Sequence, residues 1–285
     1  MPDMDPDDQL MLPHLRALGV TVHPAVWDDE SVEWSSYDLV VIRNTWDYSD
    51  RRDEFVAWCD HVETQTRLLN PASIVRWDSD KRYLRDLEAA GLPIVPTVFL
   101  GPEEDPEAWS VPEGCVDFVV KPTVSVGSRD TMRYAASGSR DEAQALINLI
   151  VGQGRTAMIQ PYLDAVDDEG ETALLFIGGV LSHGIRKGQM LRRGISGAKV
   201  AGLFVQEDIS ARTPTPAQIS MAHDVMANVP GPPGQLLFGR VDLIPDAAGD
   251  PVLLELELVE PSLFFAHDPN SPQRFAEAVV RRLNE

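Results

Sequence analysis

Hydrophobic positions in the first quarter of the chain alternate between helical and strand spacing. Residues 7–18 follow a helical pattern, residues 20–23 form a short apolar segment with strand spacing, and residues 38–42 are a continuous apolar run typical of a buried strand. A further helix is expected from Ser49. Its apolar residues share one face: Phe55, Cys59 and Val62. This order predicts a small parallel α/β domain.

The middle of the chain repeats the alternation with clear helix signals. Asp78 or Ser79 can cap a helix whose apolar residues share one stripe, and Ser139 with Glu142 has the spacing of a capping box at the start of another. Apolar runs predict three strands here: residues 97–100, 117–122 and 157–163.

In the last third, Gly178 and Gly179 interrupt a long apolar run and predict a hairpin turn between two strands. Thr215 followed by Pro216 predicts a helix start. Two further strands are expected before a last helix from Ser271: residues 236–244 and 251–259. We therefore expect an α/β fold in three units: residues 1–77, 78–165 and 166–285.

Composition narrows the function classes. The 285 residues are 44% hydrophobic and carry a formal net charge of −21, which argues against a broad basic face for DNA, RNA or an anionic membrane. An anionic ligand would need a local basic pocket. The two cysteines have no metal-like or redox-like spacing, the six histidines are scattered, and neither a signal peptide nor a long apolar run occurs. These features predict a cytoplasmic protein.

Acidic residues alternate with leucines near the end of the chain. Leu254, Leu256 and Leu258 would point to one side of a strand, and Glu255 and Glu257 to the other. Asp242 on the preceding strand would face the same way in ordinary antiparallel register. A solvated sheet edge would also tolerate this pattern, but three adjacent carboxylates repel one another unless a cation neutralises them. The pattern therefore predicts a Mg²⁺ site.

A Mg²⁺ site of this kind needs phosphate oxygens nearby, and two lysines are candidates for holding them. Lys81 is expected in the first turn of its helix, close to the positive end of the helix dipole. Lys121 ends an apolar strand and precedes a segment in which Ser125, Gly127 and Ser128 would offer backbone amides. A solvent-exposed charge is the alternative interpretation for either lysine.

One basic segment stands out in this acidic chain. Of its 24 lysines and arginines, five cluster around a single glycine-containing segment: Arg186, Lys187, Arg192, Arg193 and Lys199. Such clustering favours a loop that closes on an anion, and a solvated basic loop is the alternative.

The order of these motifs resembles the ATP-grasp superfamily, in which two α+β lobes enclose ATP and a carboxylate is activated as an acyl phosphate. The matching segments run from about residue 78 to 265: DKRYLRDLEAAGLPIVPT, FVVKPTVSVGSRD, MIQPYL, FIGGVLSHGIRKG, GRVDLI and LLELELVEP. The resemblance implies an N-terminal substrate domain, a central lobe, and a C-terminal lobe that carries the Mg²⁺ site.

The resemblance also implies roles for single residues. Lys81 and Lys121 would contact the nucleotide phosphates, and Asp164 or Asp167 would hold the ribose. The adenine edge would be read by a hinge segment: Gln160, Tyr162 and Leu163. Arg186 would stabilise the transferring phosphoryl group, helped by Lys187 or Lys199. The metal ligands would be Asp242, Glu255 and Glu257, although many members have Glu-x-Asn where this chain has Glu-x-Glu.

Within the superfamily, the segments VIRNTWDY and ELELVEPSLF are similar to those of the group that includes the cyclo-ligase forming D-cycloserine from O-ureido-D-serine. The expected substrate contacts are Arg43, Asn44, Trp46, Asp47, Tyr48 and Ser262. Alternatively, Trp46 and Tyr48 pack a domain interface. The first strand of that group would precede the acidic start of this chain, so we expect the given start to omit it.

These features together predict an ATP- and Mg²⁺-dependent carboxylate–amine ligase acting on a small amino-acid-like molecule. A small-molecule kinase and a non-catalytic nucleotide-binding module are the alternatives. Ring closure and ligation to a second molecule both stay open, and the resemblance implies a homodimer as a common assembly.

Overall fold

The computed structural model describes residues 4–127, 129–189, 191 and 208–285. The N-terminal part has one turn of 3₁₀ helix at Asp8–Met11, followed by helix α1 (Leu12–Ala17), strand β1 (Leu39–Val41), helix α2 (Arg52–Gln65), strand β2 (Arg67–Leu69) and helix α3 (Ala72–Asp78). Strands β1 and β2 pair in parallel. As predicted, α2 buries one apolar face: Phe55, Cys59 and Val62.

The central part is a four-stranded antiparallel sheet with one covering helix. It comprises α4 (Tyr83–Ala89), β3 (Val98–Leu100), β4 (Asp117–Pro122), β5 (Met132–Ala135), α5 (Arg140–Gly152) and β6 (Ala157–Pro161). The strand order is β3-β6-β4-β5. Helix α5 packs on this sheet through Ala143, Ile147 and Ile150, the stripe expected from helical spacing.

The C-terminal part is a five-stranded antiparallel sheet in the order β11-β10-β7-β8-β9. Its elements are α6 (Ala165–Asp168), β7 (Glu171–Ile177), β8 (Val180–Lys187), β9 (Ile209–Ala211), α7 (Pro216–Ala227), β10 (Phe238–Pro245), β11 (Pro251–Glu257) and α8 (Ser271–Leu283). The predicted hairpin is confirmed, because Gly178 and Gly179 have positive φ angles of 59° and 80° between β7 and β8. Such angles favour glycine over residues with a Cβ.

The two faces of the five-stranded sheet are covered differently. On one face, Leu243 and Leu256 pack with α4 and α7. On the other, Leu175 and Phe238 pack with α1 and α8. Helix α4, which the sequence groups with the central strands, therefore contributes to the C-terminal core. The part of the second face that α1 and α8 do not cover carries charged side chains.

Four sequence predictions about local structure are wrong. Neither Asp78 nor Ser79 caps the helix that follows, because Asp78 ends α3 and α4 begins only at Tyr83. Residues 20–23 form no strand. Ser139 makes no side-chain cap at the start of α5. Lys81 precedes α4, and its backbone N–H donates to the carbonyl of Thr123 at 3.0 Å rather than remaining open for an anion. The prediction for Thr215 is confirmed, because a capping box with Gln218 starts α7.

The acidic strand also departs from strict alternation. Asp242 pairs with Glu255, but Leu243 pairs with Leu253, so Leu254 is the extra residue of a β-bulge. Leu253 therefore joins Leu256 and Leu258 in the core, and Leu254 packs in a different cluster. Among the described residues, no helix is long and apolar enough to cross a membrane.

Candidate active site

A cleft of about 830 Å³ lies between the four-stranded sheet and the charged face of the five-stranded sheet. The four-stranded sheet contributes Lys121 on β4 and Gln160 on β6, and the five-stranded sheet contributes Lys187, Glu255 and Glu257. A volume of this size suits a bound small molecule. These residues come from distant parts of the sequence and meet at one cavity.

The three predicted acidic residues lie on one face of β10 and β11, as expected from their register. Asp242 is fully buried, and its carboxylate accepts from Lys187 Nζ at 2.7 Å and Arg240 Nε at 2.9 Å. Arg240 also pairs with Glu257, and Lys81 Nζ lies 3.1 Å from Glu255 Oε1. Each predicted metal ligand is thus paired with a cation of the protein itself.

The pKa values of Asp242 and Glu257 are shifted in opposite directions. Burial opposes the charged form of Asp242, but the positive charges of Arg240 and Lys187 hold its pKa below the ordinary value. At Glu257, burial and the negative charges of Glu255 and Asp242 outweigh Arg240 and raise the pKa to about 7. The cleft wall therefore has excess negative charge at Glu257.

The arrangement only partly fits the predicted metal site. In the described part of the chain, no group of three or more His, Cys, Asp or Glu residues is placed to hold a metal ion. Glu255 and Glu257 line the cleft and offer the carboxylate oxygens that Mg²⁺ prefers. Asp242 pairs with Arg240 and Lys187 in this arrangement, and its role as a metal ligand stays a prediction.

The two predicted phosphate-binding lysines both line the cleft. Lys81 Nζ contacts the Ser125 carbonyl at 3.1 Å as well as Glu255, which ties it to the segment after β4. Burial lowers the pKa of Lys121, with the charge of Glu255 acting in the opposite direction. Gly127 also lines the cavity, and Ser128 lies outside the described residues.

The two basic residues at the end of strand β8 point to opposite sides of the sheet. Lys187 faces the cleft and also pairs with Glu171 at 2.9 Å. Arg186 points to the opposite side of the strand, where it donates to the Glu169 carbonyl and pairs with Asp208. Arg186 is therefore not at the cleft, because adjacent residues of a strand face opposite sides. Lys199 lies outside the described residues.

The predicted hinge segment forms another wall of the cleft. Gln160, Tyr162 and Leu163 line it beside Val95 and Val119, which gives a flat ligand an apolar surface with polar backbone at its edge.

Neither predicted ribose ligand lines this cavity. Asp167 accepts from the Tyr162 hydroxyl and pairs with Arg133 at 3.3 Å. Asp164 has 64% of its side chain exposed and lies 3.7 Å from Arg133. Asp167 is therefore already engaged by its neighbours, whereas Asp164 lies at the surface.

Only some of the predicted substrate contacts in the segment VIRNTWDY line the cleft. Trp46 and Tyr48 line the cleft together with Ser262. The other three predicted substrate contacts are used within the protein. Arg43 forms a bidentate pair with Asp8, Asn44 also donates to Asp8, and Asp47 accepts from the Trp27 indole.

Arg43 is already neutralised by Asp8 in this structure, and its contact with a substrate carboxylate stays a prediction. Asp8 comes from a helical segment far away in sequence, so the pair could not be read from the VIRNTWDY motif alone.

Several residues that line the cleft were not among the predicted site residues, and four of them are charged residues of the central and C-terminal cleft wall: Glu171, Arg240, Asp78 and Glu260. Two of them had a usable signal. Arg240 lies two residues before Asp242 on the same strand face, and Glu171 pairs with Lys187 by counting outward from the Gly178-Gly179 turn. Asp78 and Glu260 lie beyond regular strand pairing, and only the tertiary structure brings them to the cleft.

Comparison with known proteins shows the family to which this chain belongs. A family model described as the N-terminal domain of D-cycloserine synthetase DcsG matches residues 1–70. The cycloserine biosynthesis protein DcsG of Streptomyces lavendulae is 38% identical over 291 residues, covering 98% of this chain and 95% of the relative. The crystal structure of D-cycloserine synthetase DcsG superposes with a TM-score of 0.86 at 35% identity, covering 99% and 97% of the two chains.

More distant structures share the fold. A RimK domain ATP-grasp protein from Sphaerobacter thermophilus has a TM-score of 0.63 at 16% identity, with 98% and 97% coverage. The ADP complex of PurK, an N5-carboxyaminoimidazole ribonucleotide synthetase, has a TM-score of 0.66 at 14% identity, with 97% and 74% coverage. The fold is thus the ATP-grasp fold expected from the motifs. The chain belongs to the DcsG family of ATP-grasp ligases.

Proposed function

We propose that this chain is an ADP-forming ligase that closes a ring within a small amino-acid-like substrate by joining its carboxylate to a nitrogen atom. One observation carries the proposal: four buried or half-buried cations converge on the cleft that also contains the Glu255–Glu257 pair. They are Lys81, Lys121, Lys187 and Arg240. Ring closure is favoured by the relative at 38% identity, whose name refers to cycloserine biosynthesis.

The reaction has two steps. A substrate carboxylate oxygen bonds to the γ-phosphorus of ATP while the bond from that phosphorus to the β–γ bridging oxygen breaks, which releases ADP and leaves an acyl phosphate. The nitrogen then bonds to the acyl carbon, the bond from carbon to the phosphate oxygen breaks, and the nitrogen loses a proton. No covalent enzyme nucleophile is needed, so the protein acts by positioning and charge stabilisation.

Lys81 and Lys121 would hold the nucleotide phosphates. Both lie at the cleft wall beside the segment that includes Ser125 and Gly127. Their charges favour binding of a polyphosphate in a chain that is otherwise strongly acidic. Gln160, Tyr162 and Leu163 would line the adenine, and Asp164 or Asp167, in the segment that follows, would hold the ribose.

Arg240 takes the role that the sequence assigned to Arg186. It is buried, it lines the cleft, and Asp242 and Glu257 fix its guanidinium. A guanidinium held in this way is suited to the negative charge that develops on the transferring phosphoryl group and acyl phosphate. Lys187, held by Asp242 and Glu171, adds a second positive charge.

Glu255 and Glu257 would hold Mg²⁺. The ion would neutralise phosphate charge during transfer. This proposal is supported by the donor chemistry of the two glutamates and by a related ATP-grasp ligase, PsnB, whose structure was determined with Mg and ADP.

The test is ADP release with Mg-ATP against D- and L-amino acids, including O-ureido-D-serine and other O-substituted serines, each with and without a second amine. ADP release with one amino-acid derivative alone, together with a cyclic amide product, is the expected result. Dependence on the second amine would replace ring closure by intermolecular ligation. A stable phosphorylated product would favour a kinase, and ATP binding with no ADP release from any candidate would contradict the proposed function.

A further inference from the structure

One part of the cleft wall is formed by residues of the N-terminal part and of the segment after β11. Two buried acids, three aromatic residues and a serine form this part of the wall: Asp78, Glu260, Trp46, Tyr48, Phe264 and Ser262. The residues proposed for ATP and Mg²⁺ do not account for these acids.

Glu260 differs from the other acidic residues of the cleft wall. Glu171, Glu255 and Glu257 each have an ion-pair partner within the protein. Glu260 is 8% exposed, yet among the described residues its carboxylate has neither an ion pair nor a side-chain hydrogen bond. A buried carboxylate in this state is costly unless something else neutralises it.

Asp78 adds a second incompletely satisfied carboxylate. It ends α3 and is 7% exposed. Its Oδ2 atom accepts the Leu258 N–H at 2.6 Å, which ties α3 to the segment leading from β11 to Glu260. Its Oδ1 atom is buried and lacks a hydrogen-bond partner within the described structure.

The charges of Glu260 and Asp78 both affect the hydroxyl group of Tyr48. Burial raises the pKa of Glu260, and the negative charge of Glu257 raises it further, while Arg43 is too distant to form an ion pair but partly offsets this. Burial also raises the pKa of the Tyr48 hydroxyl, with the charges of Glu260 and Asp78 next in effect. A cation at this part of the wall would relieve this repulsion.

The lining favours an organic ammonium group over a hydrated metal ion. Trp46, Tyr48 and Phe264 provide aromatic surfaces, which attract ammonium groups and do not replace the oxygen ligands that Mg²⁺ requires.

Arg240 connects this part of the wall to the reaction centre, because its guanidinium contacts both Glu257 and the Ser262 carbonyl. Glu260 lies two residues before Ser262, so a substrate carboxylate bound near Arg240 would lie beside the segment that carries Glu260.

We propose that Glu260, with Asp78 behind it, binds the α-ammonium group of the substrate and selects substrates that carry a free amino group. This inference rests on the proposed function, because it takes the reacting carboxylate to lie at Arg240. Glu260 supplies the facing carboxylate, and the ammonium group would favour its charged form. Asp78 positions the segment through Leu258 and strengthens the local field.

The test measures binding by calorimetry with Mg²⁺ and a non-hydrolysable ATP analogue present. The probes are O-ureido-D-serine and 3-(ureidooxy)propanoic acid, which lacks the amino group. We expect the wild type to bind the amino compound at least about tenfold more tightly, a ratio of the size expected for one charge-assisted contact. Glu260→Gln should bind both compounds as weakly as the wild type binds the deamino compound, with binding of the ATP analogue unchanged.

Glu277→Gln on the exposed side of α8 is the matched control, since it removes one negative charge away from the cleft and should keep the wild-type ratio. Glu260→Asp retains the charge but withdraws it by one methylene, so a partial loss of discrimination is expected even if the glutamine variant fails to fold. Equal binding of the two compounds by the wild type, or full discrimination by both Glu260 variants, would overturn the proposal.

Failure of this inference can be separated from failure of the proposed function. Binding is measured at equilibrium and needs no turnover. Discrimination that depends on Glu260, with no ADP release, would retain the ammonium site and contradict the ligase activity. ADP release and cyclisation with unchanged discrimination in the Glu260 variants would retain the ligase activity and contradict the ammonium site.

Discussion

Lys81 and Glu255 form an ion pair at the cleft wall, with Nζ 3.1 Å from Oε1 and side-chain exposures of 11% and 23%. The same ammonium group contacts the Ser125 carbonyl at 3.1 Å. One lysine thus joins the segment after β4 to the acidic strand β11. Under the proposed function, both partners would exchange this contact for a phosphate and a metal ion, because each carries the charge that the incoming ligand needs.

Glu255→Gln should abolish ADP release while leaving the fold intact. The substitution keeps the size of the side chain but removes the charge that pairs with Lys81 and would bind Mg²⁺. We expect kcat/KM to fall by at least about 100-fold, the size of loss seen when a charge-stabilising group is removed. Circular dichroism should be unchanged, and Glu277→Gln should retain wild-type turnover. An unchanged rate in Glu255→Gln would contradict its assignment to the metal site.

Asp242→Asn should destabilise the protein strongly. Asp242 is fully buried and pairs with Lys187 and Arg240, both of which are also buried. Loss of its charge leaves two buried cations short of a partner, so the free energy of unfolding should fall by about 3–5 kcal/mol. Urea denaturation measures the change. Asp60→Asn is the control, because Asp60 pairs with Arg76 where both side chains are half exposed, and its loss should be below about 1 kcal/mol.

The strands and turns that local patterns specify were predictable from sequence. The hairpin at Gly178-Gly179 and the cap at Thr215 depend on a few adjacent residues, so their signals survive in the linear chain. The acidic face of β10 and β11 followed from period-two spacing and antiparallel pairing. The bulge at Leu254 was missed, because an extra residue in a strand reflects how β11 pairs with β10 rather than its own sequence.

Two predicted site residues pair with other groups of the protein, which the sequence could not indicate. Arg43 has the chemistry to bind a substrate carboxylate, but Asp8 occupies its guanidinium. Arg186 and Lys187 are equivalent as basic residues, and only the register of β8 decides which one faces the cleft. Chemistry alone therefore identified the types of residue at the site, and tertiary contacts determined which individual residues reach it.

The two predicted helix caps differ, and a pair of variants should reveal the difference. The Thr215 hydroxyl accepts the Gln218 N–H at 3.2 Å, and the Gln218 side chain accepts the Thr215 N–H at 2.9 Å. Thr215→Ala should therefore lower the free energy of unfolding by about 1 kcal/mol. Ser139 makes no such bond, so Ser139→Ala should have an effect of about zero. Equal losses in urea denaturation would contradict this distinction.

His183 should make stability depend on pH. Its Nε2 atom lies 3.0 Å from the Leu263 carbonyl, and burial, assisted by the charge of Arg274, lowers its pKa below the ordinary 6.5. The unfolded chain therefore binds the proton at a higher pH than the folded chain does. Stability is fully present above pH 6.5 and is lost as the pH falls below it toward the lower folded pKa.

His183→Gln should remove this dependence, because glutamine can still donate to the Leu263 carbonyl but does not titrate. Urea denaturation between about pH 5.5 and 7.5 covers the range in which an unperturbed histidine titrates. The difference in unfolding free energy between wild type and variant should be constant at the upper end and shift against the wild type toward the lower end. Its slope cannot exceed about 1.4 kcal/mol per pH unit for one proton. Carboxylates shared by both proteins cancel in the difference, so parallel curves would show that His183 titrates alike in the folded and unfolded chains.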